Sequence, residues 1–280
     1  MAMLKNKGEK QVIVRDKNFL QDYIKVWDDG AIKDAPFITL GLEAVLTDYY
    51  GNLLDAPPPF EVKPDETILD LGCGWGRVLK PVRAITDNAI GLDISHQMLM
   101  AAQKHLHHHN LPTPLVRGDG TLLPFKDCSF DTVYSLLVLQ HLSKENGKKV
   151  IKEIHRILKP GGTAYIRVPS RFSPENLLMA FLQLVSIHIF RYKDPIRMRF
   201  YRIGEIHKIC KPLFNTVEIT AHEFRPPWNF HTPWTWHYII IPKRFHKRLR
   251  VLSDKLEKRA NSKSPWFKHF GVTLMIKVVK

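Results

Sequence analysis

The chain has 280 residues, 44% of them hydrophobic, with 42 Lys and Arg against 27 Asp and Glu. That length and apolar content support one sizeable core and exclude a disordered chain, while the net charge of +15 points to an acidic partner such as nucleic acid, an anionic membrane face or an anionic substrate. Three scattered cysteines, Cys73, Cys128 and Cys210, exclude a disulfide framework and a paired-cysteine zinc site, and favour a reducing, cytoplasmic compartment.

The opening MAMLKNKGEK lacks the apolar centre of a signal peptide. Residues 37–50 form a helix candidate that Pro57, Pro58 and Pro59 terminate, so residues 1–60 are expected to form an N-terminal helical arm or lid. Short β-like runs then alternate with helical patterns. Residues 67–71 predict a strand that ends in a glycine-rich turn, and residues 89–93 a second strand with Ser95 as N-cap of a helix through His105. Residues 114–118 and 130–135 predict the third and fourth strands. Val150, Ile151, Ile154 and Leu158 give residues 144–158 one apolar helix face. Residues 159–162 (Lys-Pro-Gly-Gly) predict a turn, and residues 163–168 a fifth strand. Such alternation predicts an α/β fold, a mostly parallel sheet with helices on both faces.

After Pro169 the rhythm is interrupted twice, by residues 171–200 and 222–270, with a short helix over 204–211 and a strand over 214–220 between them. A last strand is expected over 271–279. The domain therefore spans 61–280 and carries two insertions, expected to cap the C-terminal ends of the strands. The apolar stretch 177–190 in the first insertion is too short and too interrupted to span a bilayer. Its run Leu177–Leu182 fits a buried helix, a lipid-facing one or an acceptor pocket equally, and periodicity does not separate them. In the second, residues 243–263 hold nine Lys and Arg against Asp254 and Glu257. Phe245, Leu249, Leu252 and Leu256 fall on one helix stripe there, which reads either as a helix packed on the core or as a basic amphipathic helix for an anionic membrane surface.

The chemistry concentrates in four segments. Ile68-Leu-Asp-Leu-Gly-Cys-Gly-Trp-Gly-Arg77 runs a buried strand into a Gly-x-Gly-x-Gly turn and a helix, which lets the backbone pass close to a ligand and offers free N–H groups to an anion. Asp93 lies 17 residues beyond Gly76 at the end of the second strand, where a carboxylate accepts both hydroxyls of a ribose. Asp119, in Gly118-Asp-Gly-Thr-Leu-Leu-Pro-Phe125, is placed to accept from an adenine amino group, with Leu122 helping to wall the ring. Residues 134–141 follow the fourth strand and end in His141. The Gly-x-Gly-x-Gly spacing departs from the Gly-x-Gly-x-x-Gly of NAD binders and excludes a dehydrogenase.

In order and spacing these segments, with the Leu-Lys-Pro-Gly-Gly turn, resemble the class I S-adenosylmethionine (SAM)-dependent methyltransferases, in the methyltransferase type 11 branch that includes ubiquinone- and menaquinone-biosynthesis enzymes. The resemblance covers about residues 60–170 well and the last two strands loosely. It implies a Rossmann-like seven-stranded sheet with the last strand antiparallel, and SAM as methyl donor. It implies that Asp70, Gly72, Cys73, Gly74 and Gly76 shape the methionine part of the donor site, with Cys73 and Trp75 as loop and packing residues rather than a nucleophile and a stacking platform. It further implies that Asp93, with Ile94 and Met98 beside it, serves the ribose, that Asp119, Gly120 and Thr121 hold adenine, and that Ser135 and Leu136 face the amino-acid part and the transferable methyl. His141 is the best-placed general base if the acceptor must lose a proton; a packing or capping histidine is the other reading. Tyr23, Tyr49 and Tyr50 on the arm are weaker candidates for the acceptor pocket.

The expected function is methyl transfer to a small or lipid-like acceptor, in the cytoplasm or peripherally on a membrane. An RNA methyltransferase is the first alternative, favoured by the charge but lacking the Asn/Asp-Pro-Pro-Tyr/Phe run after the fourth strand that amino-methylating enzymes of this fold use. A non-catalytic SAM-binding partner protein is the second. The histidines at 105 and 107–109 read as helix-end residues, without a carboxylate or cysteine nearby to complete a metal site.

Overall fold

Residues 61–174, 176–178, 180, 181, 199–222, 224, 246–263 and 266–280 are described by a computed structural model. The expected arm over 1–60, with Tyr23, Tyr49 and Tyr50, lies outside these residues, as do Phe245, most of the first insertion and about half of the second. The strands are β1 (Ile68–Leu71), β2 (Ala89–Asp93), β3 (Leu115–Arg117), β4 (Phe130–Leu136), β5 (Leu158–Pro169), β6 (Thr216–His222) and β7 (Thr273–Val279). The helices are α1 (Leu79–Arg83), α2 (His96–His108), α3 (Lys144–Ile157), α4 (Ile203–Cys210) and α5 (His246–Lys263).

The seven strands form one sheet in the order β3-β2-β1-β4-β5-β7-β6. β1 pairs in parallel with β2 on one side and β4 on the other, and β7 runs antiparallel between β5 and β6. This is the Rossmann-like arrangement expected, with the last strand reversed. Alternation along each strand sends side chains to two cores. Leu69, Leu71, Val133 and Ile166 join α3 residues Val150, Ile151 and Ile154 on one face, while Ile68, Ala89 and Tyr134 meet α1 and α2 residues Leu79, Leu99 and Leu106 on the other.

Local signals account for most boundaries. Ser95 caps α2 by accepting the Met98 N–H, and α2 ends three residues beyond the expected His105, where Asn110 turns left-handed and Leu111 N–H closes on the Leu106 carbonyl. Ser143 caps α3 in the same way. The expected turn at 159–162 is instead the start of β5: Gly161 N–H donates to the Lys280 carbonyl and Lys280 N–H to that of Gly162, so the last residue of the chain pairs this segment into the sheet. The helix stripe expected at 245–256 also changes. Leu256 packs on the core, but Leu252 is 51% exposed, because α5 docks through Leu256, Glu257, Ala260 and Asn261.

α3 anchors the loop after β3. Arg156 donates to both carboxylate oxygens of Glu153, to the Leu123 and Phe125 carbonyls and to Asp127, and Glu153 accepts the Leu123 N–H at 2.8 Å. These contacts raise the Arg156 pKa, with Glu153 the main cause. Arg156→Leu is expected to cost ~2–4 kcal/mol, because it leaves Glu153 and two carbonyls without their charged donor. Urea denaturation of wild type and variant measures this, and an unchanged midpoint would contradict the anchoring role.

Candidate active site

The C-terminal ends of β1, β2 and β4 converge at one sheet edge, the place where open α/β sheets bind ligands. Gly72, Gly74 and Gly76 all have positive φ, at 79°, 51° and 84°. Their surroundings differ. A side chain at Gly72 would stand 2.3 Å from Val138 Cγ2, and one at Gly76 would press on Leu106 and Ala102 of α2. A side chain at Gly74 would meet nothing within 4 Å. Gly72 and Gly76 are therefore fixed by packing, and Gly74 faces open space.

Asp93 ties this loop down. Its Oδ2 accepts the Gly74 N–H at 2.8 Å and its Oδ1 accepts the Ser95 N–H at 2.9 Å. The backbone N–H groups of Gly72 and Cys73 both donate to the Leu92 carbonyl. Asp70 lies beneath, fully buried, and its Oδ2 has no hydrogen-bond partner among the described residues. Burial pushes its carboxyl up to about 7; Arg77 lowers it and Asp93 raises it further.

Ser135, at the end of β4, is also buried, with its Oγ without a hydrogen-bond partner among the described residues. Leu136 follows it half-buried, and Leu137 has a φ of 61°, a strained value for a non-glycine residue. The turn Leu139–His141 then folds the chain back. The His141 ring is largely buried with Gln140 Nε2 at 3.3 Å from its Nε2, and burial lowers its pKa to about 4. On the β3 side, Asp119 Oδ1 accepts the Thr121 N–H at 2.9 Å, and Gly120 sits over Leu71 and Val150. Leu122, expected to wall the adenine, is 57% exposed.

Thus Asp70, Gly72, Gly74, Gly76, Asp93, Ile94, Asp119, Gly120, Thr121, Ser135, Leu136 and His141 all lie on this edge of four neighbouring strands. Cys73 and Met98 are also there in sequence, but their side chains are buried: Cys73 lies against Gly91, its thiol pKa raised first by burial and then by Asp70 and Asp93, and Met98 is 5% exposed. Trp75 packs edge-on against His105 with ring centroids 4.7 Å apart.

Sequence reading missed Val138, Gln140, Arg199 and Tyr201. Val138 closes on Gly72, and the end of the first insertion joins the wall: Arg199 N–H donates to the Gln140 carbonyl, the Tyr201 hydroxyl donates to the Leu139 carbonyl, and the Arg199 guanidinium lies over the Tyr201 ring. No local pattern signals these contacts, which join segments 60 residues apart.

Known proteins match this arrangement. Residues 69–166 match the family model of a methyltransferase domain. An uncharacterized protein of Methanocaldococcus jannaschii is 38% identical over 167 residues, 54% of this chain and 62% of that protein. The sterol 24-C-methyltransferase of Aspergillus fumigatus is 36% identical over 104 residues, 36% of this chain and 27% of that enzyme. The chain spans less than two thirds of the length of these curated relatives. Among solved structures, a SAM-dependent methyltransferase of Thermotoga maritima superimposes with a TM-score of 0.57 at 17% identity, over 94% of this chain and 100% of that one. A chain from the complex between the Haloferax volcanii Trm112 methyltransferase activator and a methyltransferase does so with a TM-score of 0.56 at 23% identity, over 90% and 96%. The likeness of the solved structures is one of fold; the family match spans the glycine loop together with Asp70 and Asp93. Over residues 69–166 this chain is similar to the methyltransferase domain family, and its fold is that of the SAM-dependent methyltransferases.

Proposed function

We propose that the protein transfers the methyl group of SAM to a small or lipid-like acceptor. The observation that carries this reading is the buried, unpartnered Asp70 carboxylate oxygen beneath a left-handed glycine loop that is open at Gly74. A cationic donor satisfies the first and occupies the second. SAM fits that donor set: its ribose hydroxyls donate to the Asp93 carboxylate, and its adenine lies by Asp119, Gly120 and Thr121. The methionine part then lies along Gly72–Gly76 toward Ser135 and Leu136. The likeness to sterol methyltransferases supports a lipid-like acceptor.

When bound, SAM supplies an already activated methyl on a sulfonium. The protein's task is alignment and exclusion of water, which together account for ~7–11 kcal/mol of barrier in reactions of this type. The Asp93 clamp holds the Gly74 amide in place, and the Val138 contact fixes the loop after β4 against the loop after β1. His141 is neutral above about pH 4 and is the residue best placed to take a proton if the acceptor must lose one.

Gly74→Val is expected to abolish SAM binding in a folded protein, since the side chain fills the open space and its backbone strain is on the order of 1–2 kcal/mol. Asp93→Ala is expected to weaken binding by ~2–3 kcal/mol through loss of the ribose hydrogen bonds. Calorimetry with circular dichroism measures both, and wild-type affinity in either variant would move the donor elsewhere.

Asp70 predicts a pH dependence. The folded chain keeps its carboxyl protonated up to about pH 7, whereas the ordinary value is 3.8. Between those values the folded state binds more protons, so this group's contribution to stability falls as pH rises to about 7 and stays low above it. Asp70→Asn is expected to unfold at higher temperature than wild type at pH 8, by up to about 4 kcal/mol of stability, with little advantage at pH 4. In wild type, SAM affinity rises between pH 6 and 8 as the cation favours the carboxylate, and in the variant it is flat. Equal melting curves across this range would contradict the assignment.

His141→Gln is expected to lower kcat by ~10²–10⁴ while the Kd for SAM is unchanged, once an acceptor is in hand. An unchanged kcat would assign the ring to packing alone.

A further inference from the structure

The two faces of α5 (His246–Lys263) are differently employed, and its described inner side chains are engaged. Asn261 accepts the Ala221 N–H and donates to the Ala221 carbonyl, both at 2.9 Å, so its side chain stands in for a neighbouring strand along the β6 edge. Glu257 meets His222 Nδ1 at 2.8 Å, and Leu256 and Ala260 pack on the core. The opposite face holds Arg248, Leu252, Lys255 and Arg259 in one row at helical spacing, with Val251 and Lys258 in the next. All six are exposed, Val251 by 48% and Leu252 by 51%, and Asp254 is the one exposed acid among α5's described side chains.

Its place in the fold gives this face a use. Pro169 at the end of β5 pairs with Thr273, which pairs with His222 at the end of β6, so α5 docks at the same sheet edge as the donor site. The turn Phe267–Phe270 continues from α5 along this edge, with Ser170 Oγ donating to the His269 carbonyl. Trp266, 69% exposed, stands at its start. On the other insertion, Asn176 donates to the Ser170 and Val272 carbonyls, and Leu177 beside it is 50% exposed.

We propose that the outer face of α5, together with Trp266, seats the protein on an anionic lipid bilayer, with the donor edge of the sheet turned toward the membrane. This deepens the lipid-like reading of the acceptor and rests on it only for its purpose. Charge complementarity selects an anionic surface, because four bases face one acid. The aliphatic pair flush with those bases and the exposed indole select lipid over nucleic acid: phosphates satisfy the bases alone, whereas a headgroup layer also takes Val251, Leu252 and Trp266 out of water. No described helix is long and apolar enough to cross a membrane, so the contact is one of lying on the surface.

Flotation of the full-length protein with phosphatidylcholine vesicles, with and without phosphatidylglycerol, tests this. Wild type is expected to float with the anionic vesicles alone and to be released by raised salt. The variant carrying R248Q, K255Q, K258Q and R259Q is expected to lose at least about 10-fold in partitioning. The variant carrying V251S and L252S is expected to lose several-fold, with circular dichroism unchanged in both. The proposal is overturned if wild type ignores anionic vesicles, if it binds neutral and anionic vesicles alike, if the variants float as wild type does, or if the same face binds RNA while vesicles are ignored. SAM titration of the same samples separates the two readings: failure of SAM binding with flotation intact removes the methyltransferase proposal and leaves this one standing.

Discussion

The interaction on which the rest of the structure depends is the clamp between Asp93 and the glycine loop. β1 and β2 pair in parallel and in register, so the loops leaving Leu71 and Asp93 start side by side. One carboxylate then accepts the amide of Gly74 and, through its other oxygen, the amide of Ser95, which in turn caps α2. A single side chain thus holds the donor loop open and starts the helix whose Ala102 and Leu106 crowd Gly76 from behind. The loop's left-handed backbone is tolerated because its residues are glycines and because packing at Gly72 and Gly76 leaves it nowhere else to go.

Around this clamp, polarity is distributed unevenly. Arg156 and Glu153 satisfy the carbonyls and amide of the loop after β3, and Asn261 satisfies the edge of β6. At the open edge, Asp70 and Ser135 are buried with oxygens left unpartnered among the described residues. Arg83 Nε on α1 and His105 Nε2 on α2 are buried without a partner among the described residues too, but Asp70 and Ser135 stand at the open edge, where a ligand can meet them. The raised pKa of Asp70 is the electrostatic form of the same fact: a carboxylate in an apolar setting awaits a positive charge.

Much of this was legible in the residues. The strand-to-glycine transition at Leu71, the carboxylate at Asp93 and the N-cap at Ser95 are local patterns whose chemistry does not depend on distant partners. The reversal of β7 and the seven-strand count came with the family resemblance rather than from periodicity. What stayed hidden was tertiary. Val138 carries no sign that it will close on Gly72, and Lys159–Gly162 reads as a turn until Lys280 pairs with it. The stripe through Leu252 and Leu256 gives two opposite orientations for α5 the same apolar score; Asn261 and Glu257, whose partners lie 40 and 35 residues away, decide between them and turn Leu252 outward.

All of the proposed chemistry requires one donor site at the joined ends of β1, β2 and β4. A crystal structure of the protein with S-adenosylhomocysteine tests it most directly. The ribose hydroxyls are expected on Asp93, the adenine beside Asp119 and Gly120, and the amino-acid part over Gly74 above Asp70. A ligand bound at any other edge of the sheet, or held without contact to Asp93 and the glycine loop, would contradict it.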